Sequence, residues 1–125
     1  MFQKILYLSI AGAAGTIARY WLSGFVQRMI TVEFPIGTAA VNIIGCFVFG
    51  LLWAFMESRF SISGQTRIII FVGFFGAFTT FSTFMYENSR LLDDSQWLWA
   101  LENIVLQDIL GLVGMIGGLS IGKSL

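Results

Sequence analysis

The chain has 125 residues, 57% hydrophobic and 11% charged, with 7 basic residues balancing 7 acidic ones. A soluble domain this small needs roughly 25% charge to keep its large surface in water, and disordered chains lack the aromatics that make up 16% here. Zero net charge offers no basic patch to nucleic acid, so the composition points into a lipid bilayer.

A hydrocarbon core of ~30 Å is crossed by about 20 helical residues. Four segments reach that length. The first, about residues 5–26, follows a single Lys4 and is interrupted only by Arg19. It is too long for a signal-peptide core and reads as a retained span. The second, about residues 36–56, starts after the only proline, Pro35, which suits a helix N-terminus. The third covers about residues 68–86 and the fourth about residues 98–121. Short loops hold Arg28, Glu33, Glu57, Arg59, Arg67, Arg90, Asp93 and Asp94. The expected fold is all-α: one four-span membrane domain over residues 1–125, with no room for a soluble domain.

The side holding both termini carries Lys4, Arg59, Arg67 and Lys123, and the other carries Arg28 and Arg90, with Arg19 lying deeper. Orientation follows the Lys/Arg excess, so a near tie permits insertion both ways and favours an antiparallel homodimer. Small residues mark helix contacts: Ala11, Gly15 and Ala18 on one face of the first span, Gly12, Thr16 and Arg19 on the next, and Gly111, Gly114, Gly118 and Gly122 on the fourth. Cys46, alone in an apolar run, reads as a small buried hydrophobe. With no His and no nucleophile–base pair, no enzyme is expected.

Polar residues deep in the spans are costly unless satisfied, so they carry the functional signal. Thr38, Asn42, Gly45 and Phe49 make one stripe of the second span, at i, i+4, i+7 and i+11. In the third span, Gly73 and Gly76 precede Thr79, Thr80, Ser82 and Thr83, interleaved with Phe81 and Phe84. Gly, Thr and Ser are weak helix formers, and Thr and Ser are good N-caps. The expectation is a broken helix, one half ending near Gly76 and the other starting near Thr79 or Thr80. The alternative is a continuous helix whose hydroxyls back-bond to carbonyls.

At ~1.5 Å per residue from the termini side, Arg19, Asn42 and Phe81 lie ~20 Å deep and the break lies ~13–17 Å deep. An inverted second copy would bring two breaks together at the midplane, with polar stations on either side. Hydroxyls, an amide and the positive edges of phenyl rings suit a small anion, and carbonyls released at the break suit a cation. This chemistry does not by itself choose the anion.

Gly12-x-x-Gly15-x-x-x-Arg19, Asn42-x-x-Gly45 and above all Gly76-x-x-Thr79-Thr80-Phe81-Ser82-Thr83-Phe84 resemble the Fluc (CrcB) fluoride channel family, across all four spans. The resemblance implies an antiparallel, dual-topology homodimer in a bacterial inner membrane, exporting fluoride passively through two pores. It implies pore roles for Phe81, Phe84 and Asn42, with Ser82 and Thr83 as adjoining hydroxyls. Backbone carbonyls of Gly76 and Thr79 would hold a structural sodium ion, and Glu87 would stand in a vestibule. Arg19 matches a first-span arginine, without an assigned role.

Asn103 and Gln107 are candidate neutral pore liners of the fourth span, where Asp108 is unexpected. Asp108 shares the depth of Arg19, so a pair is one reading; a hydrated or protonated carboxyl is the other. A proton-coupled exporter of cationic drugs, also four-span and dual-topology, needs an embedded carboxylate, and Asp108 is the only deep one. An accessory membrane subunit would have no need of the hydroxyl–phenyl run.

Overall fold

The computed structural model describes residues Met1–Leu125 and is entirely helical and irregular, without strands. Helix α1 runs Phe2–Met29 and α2 runs Ile36–Arg59. The third crossing is segmented. Helix α3, Gly64–Arg67, leads into a π-helical segment, Ile68–Phe75, and a single turn, α4, Gly76–Phe78. Two extended residues follow, and then α5, Phe81–Asp93. Helix α6, Trp97–Ser124, closes the bundle.

The stretches Phe2–Met29, Ile36–Arg59, Gly64–Asp93 and Trp97–Ser124 are long and apolar enough to cross a membrane. The protein is a multi-pass integral membrane protein, and in a bacterium its place is the inner membrane. Each stretch outlasts its apolar run, because a helix satisfies its own backbone hydrogen bonds whatever its side chains. Polar residues such as Gln3, Arg28, Glu57 and Ser58 therefore continue the helices toward the headgroups.

Only 23 of 125 residues are buried, so the interior is thin and close helix contact does the packing. Helix α2 packs along α6 through glycines. A Cβ at Gly118 would run into the Phe47 carbonyl oxygen, and one at Gly122 into that of Leu51. Helix α1 packs on the third crossing in the same manner. Gly15 faces the Phe74 carbonyl, and a Cβ at Gly73 would lie 2.9 Å from that of Ala11. The Ala11–Gly15 face read from the sequence is this contact. Small residues allow it because lipid provides no hydrophobic drive between helices, only close packing.

Gln27 ties the α1–α2 connection, accepting from the Gly37 N–H at 3.1 Å and donating to the Val32 and Phe34 carbonyls at 3.2 Å. Val41, Phe71, Phe75 and Phe78 form the core, and Phe49 and Trp53 of α2 pack against it. The π segment was not expected from the sequence. Its wider i→i+5 turn places Phe71 and Phe75 in a stack, with centroids 6.0 Å apart, and both rings reach Phe49.

Candidate functional site: a broken helix received by a polar stripe

The third crossing breaks at Thr79 and Thr80, which are extended at φ −79°, ψ 154° and φ −146°, ψ 113°. The first half ends at Phe78, two residues beyond Gly76, because Gly76 keeps helical angles and Thr79 prolongs the turn. The N–H and hydroxyl of Thr79 both donate to the Phe75 carbonyl, at 3.0 and 2.9 Å. The second half is capped by Thr80, whose hydroxyl accepts from the Thr83 N–H at 3.3 Å.

A break strands backbone groups, and α2 receives them. Asn42 Oδ1 accepts from the Thr80 N–H at 2.8 Å, and Asn42 Nδ2 donates to the Thr80 carbonyl at 3.1 Å. One carboxamide thus replaces both helical partners that Thr80 has lost. One turn on, Gly45 leaves room for the Thr79 methyl group, which a Cβ would strike. Thr38 donates to Glu87 Oε1 at 2.5 Å, and Phe49 enters the aromatic core. All four residues of the stripe face the third crossing.

The Thr80 N–H would donate to the Gly76 carbonyl in an unbroken helix. Given to Asn42 instead, it releases that carbonyl. Gly76 is exposed on the protomer, with open space around it, and Thr79 beside it is half-buried. The C-terminal end of the first half carries partial negative charge and the N-terminal end of α5 partial positive charge. The two ends of one interruption thus present opposite partial charges.

A cavity of about 240 Å³ lies against the break, lined by Asn42, Thr80, Phe81, Phe84, Gln107 and Asp108 among others. The Phe81 and Phe84 rings lie 5.9 Å apart and tilted by 53°. Phe84 is buried, whereas Phe81 is 71% exposed, standing outward from the protomer. Ser82 and Thr83 are exposed at the N-terminus of α5, and Thr80 donates to the Thr83 hydroxyl at 3.0 Å.

Arg19 lines a second cavity, of about 370 Å³, with Thr16, Ser23, Thr38, Thr80 and Thr83. Thr80 belongs to both cavities. Arg19 and Asp108 thus face different spaces, and equal depth did not make them a pair within the protomer. Glu87 lines an outer cavity with Glu33, Arg90 and Asp94; its Oε2 is buried without a hydrogen-bond partner.

Asn103 and Gln107 are not independent liners. Asn42 Nδ2 donates to Gln107 Oε1 at 2.8 Å, Gln107 Nε2 to Asn103 Oδ1 at 2.8 Å, and Asn103 Nδ2 to Asn88 Oδ1 at 3.0 Å. Asn103 is wholly buried, and Asn88 is 4% exposed. The sequence reading did not single out Asn88. It follows charged Glu87 where the apolar run ends, and so resembles ordinary loop-side polarity; its heptad-like spacing from Phe81 and Phe84 was the available signal.

Residues 6–119 match the family described as "CrcB-like protein, Camphor Resistance (CrcB)". Among curated relatives, a "Fluoride-specific ion channel FluC" of Nitrosococcus oceani is 49% identical over 98% of both chains. Proteins of the same description from Solidesulfovibrio magneticus and Geotalea uraniireducens are 47% and 42% identical, over 98% of this chain and 98% and 99% of theirs.

Proposed function

The chain belongs to the CrcB family of fluoride channels, and from that membership we propose that fluoride crosses the membrane beside the break in the third crossing. The protein is a channel and not an enzyme. The observation that carries the route is the cavity where the α5 N-terminus, the hydroxyls and the Phe81 and Phe84 rings converge. Helix N-termini favour anions, and ring edges present positive potential without holding an ion tightly. Conduction needs binding strong enough to replace hydration and weak enough to release the ion. Asn42 gives the site its amide and Thr79 and Thr80 give hydroxyls, while Ser82 and Thr83 stand exposed at the α5 N-terminus, Thr83 on the neighbouring cavity, and extend the path from there. Arg19, among the hydroxyls of the neighbouring cavity, draws anions toward the break, and Glu87 stands in the vestibule beyond Thr38.

The channel works as an antiparallel homodimer with one pore on each side. Support comes from the weak Lys/Arg bias between the two sides, and from Phe81 standing 71% exposed and the open face at Gly76, both of which a second copy would cover. The released carbonyls of Gly76 and Thr79 fit a sodium ion, since hard cations take oxygen ligands. Two copies would double the oxygen set, and the ion would supply a fixed charge that ties the subunits. Gly76→Val disfavours this geometry. The dimer mass measured in detergent is expected to lose its sodium dependence, and a sodium-dependent Gly76→Val dimer would contradict the assignment.

Asp108 separates this reading from a proton-coupled exporter. Its carboxylate lines the anion cavity, so Asp108→Asn is expected to leave fluoride efflux from liposomes intact or raise it several-fold. Loss of efflux in Asp108→Asn, together with a requirement for a pH gradient in the unmodified protein, would favour the exporter.

A further inference from the structure

Asn42 has no donor to spare. One Nδ2 hydrogen goes to the Thr80 carbonyl and the other to Gln107 Oε1. An anion approaching Asn42 must displace one of these, and the Thr80 carbonyl is fixed by the backbone. The replaceable partner is Gln107 Oε1, which sits 2.8 Å from the amide nitrogen where an anion would sit.

Thr80 also settles which way round the amides stand. Its N–H needs an acceptor and its carbonyl a donor, so Asn42 has one allowed orientation. From there the chain runs head to tail. Each carboxamide donates to the oxygen of the next, from Asn42 through Gln107 and Asn103 to Asn88. At the far end the Asn88 Nδ2 group is buried and has no hydrogen-bond partner. A buried donor without a partner is unfavourable, and a chain of polarised hydrogen bonds makes the last donor stronger still.

The same heavy-atom positions allow the opposite polarity. Half a turn of each terminal amide exchanges oxygen and nitrogen in Gln107, Asn103 and Asn88 without moving the rest of the side chain. Asn88 Nδ2 then donates to Asn103, and Asn103 to Gln107; the orphaned donor is used and Asn88 Oδ1 becomes the unpaired group, a lesser deficiency because a buried acceptor is left under-used more often than a buried N–H. Gln107 Nε2 is left facing Asn42 Nδ2. Two donors facing one another repel unless an acceptor lies between them, and the cavity they line is the one at the break.

We propose that the Gln107–Asn103–Asn88 relay reverses polarity when an anion arrives, turning Gln107 from an internal occupant of the site into a second amide ligand. Without the ion, Gln107 Oε1 satisfies Asn42 and the unpaired donor rests at Asn88. With the ion, both amides donate to it, the Asn88 donor is paired, and what is left over at Asn88 is an acceptor. Asn103 and Asn88 are positioning residues: they touch no ion, and they hold Gln107 in either orientation. The anion must be small, because a large one would push the two amides apart and break the relay at Gln107. The proposal rests on Asn42 lining the fluoride path.

The test is side-chain amide ¹⁵N–¹H NMR of the protein in lipid, titrated with sodium fluoride and, separately, sodium chloride, alongside fluoride efflux. Fluoride is expected to shift Asn42, Gln107 and Asn88 with one common midpoint, Asn88 moving downfield as its donor gains a partner. Chloride is expected to leave Asn88 in place. In Asn88→Asp, which keeps the acceptor for Asn103 Nδ2 and removes the terminal donor, the relay is held in its ion-free polarity and half-saturation should rise about tenfold, the effect of one hydrogen bond. A response of Asn42 without any response of Asn88 would overturn the relay while leaving the route intact. Efflux with no response at Asn42 would overturn the route and the relay together. Should Asn88→Asp fail to fold, the titration of the unmodified protein decides alone.

Discussion

Phe81→Ile is expected to cut fluoride efflux by roughly 10- to 100-fold, the range set by losing a contact of about 1.5–3 kcal/mol to a charged group. The substitution removes a ring edge and keeps an apolar side chain of useful bulk. Phe81 is 71% exposed on the protomer, so its exchange takes little from the protomer's own packing. Phe84 provides the comparison. Buried at 3% exposure, its ring belongs to both the cavity and the interior, and Phe84→Ile is expected to lower efflux and also loosen α5 against its neighbours. The check is fluoride release from liposomes, with dimer assembly followed by size in detergent. Wild-type efflux in both variants would leave the rings as packing and remove the ring-edge account.

Asn42→Leu is expected to be the most damaging single change to the break itself. It strands the Thr80 N–H and the Thr80 carbonyl together, both satisfied by one side chain. At about 1–3 kcal/mol for each buried group left without a partner, the loss is about 2–6 kcal/mol. The first sign is fast hydrogen exchange at the Thr80 amide, followed by a lower unfolding temperature in detergent. Asn42→Asp keeps the acceptor for Thr80 N–H and loses both donors, so it should protect that amide and still lose efflux. An Asn42→Leu protein as stable as the parent would show that the break is held by something other than α2.

These two changes touch the part of the molecule that was most legible in its sequence. Weak helix formers next to N-capping residues announced the break, and the 3.6-residue period announced that Thr38, Asn42, Gly45 and Phe49 share a face. Small residues at Ala11 and Gly15 announced the α1 contact. What each stripe residue does was not legible. Asn42 reads as a lone polar amide, and its pairing with Thr80 depends on which helix lies opposite. The π segment stayed hidden because Ile68–Phe75 is apolar throughout and its side chains carry no period to distinguish the wider turn. Depth along a helix was readable for Arg19 and Asp108, but the direction around the axis was not, and the two line separate cavities. Asn103 and Gln107, at i and i+4, were visible as one polar face. The head-to-tail order of their hydrogen bonds was not, since a carboxamide's orientation is set by its neighbours and not by its name.

The break joins these levels. Sequence weakness at Thr79 and Thr80 opens the backbone, Asn42 and Gly45 stabilise the opening, and the opening aligns a helix N-terminus with two phenyl rings. The most direct measurement is ion release from liposomes containing the purified protein, loaded with equal sodium fluoride and sodium chloride and given no proton gradient. The account predicts that fluoride empties down its own gradient while chloride stays inside. Joint release of both ions, or release of neither until a pH gradient is imposed, would contradict it.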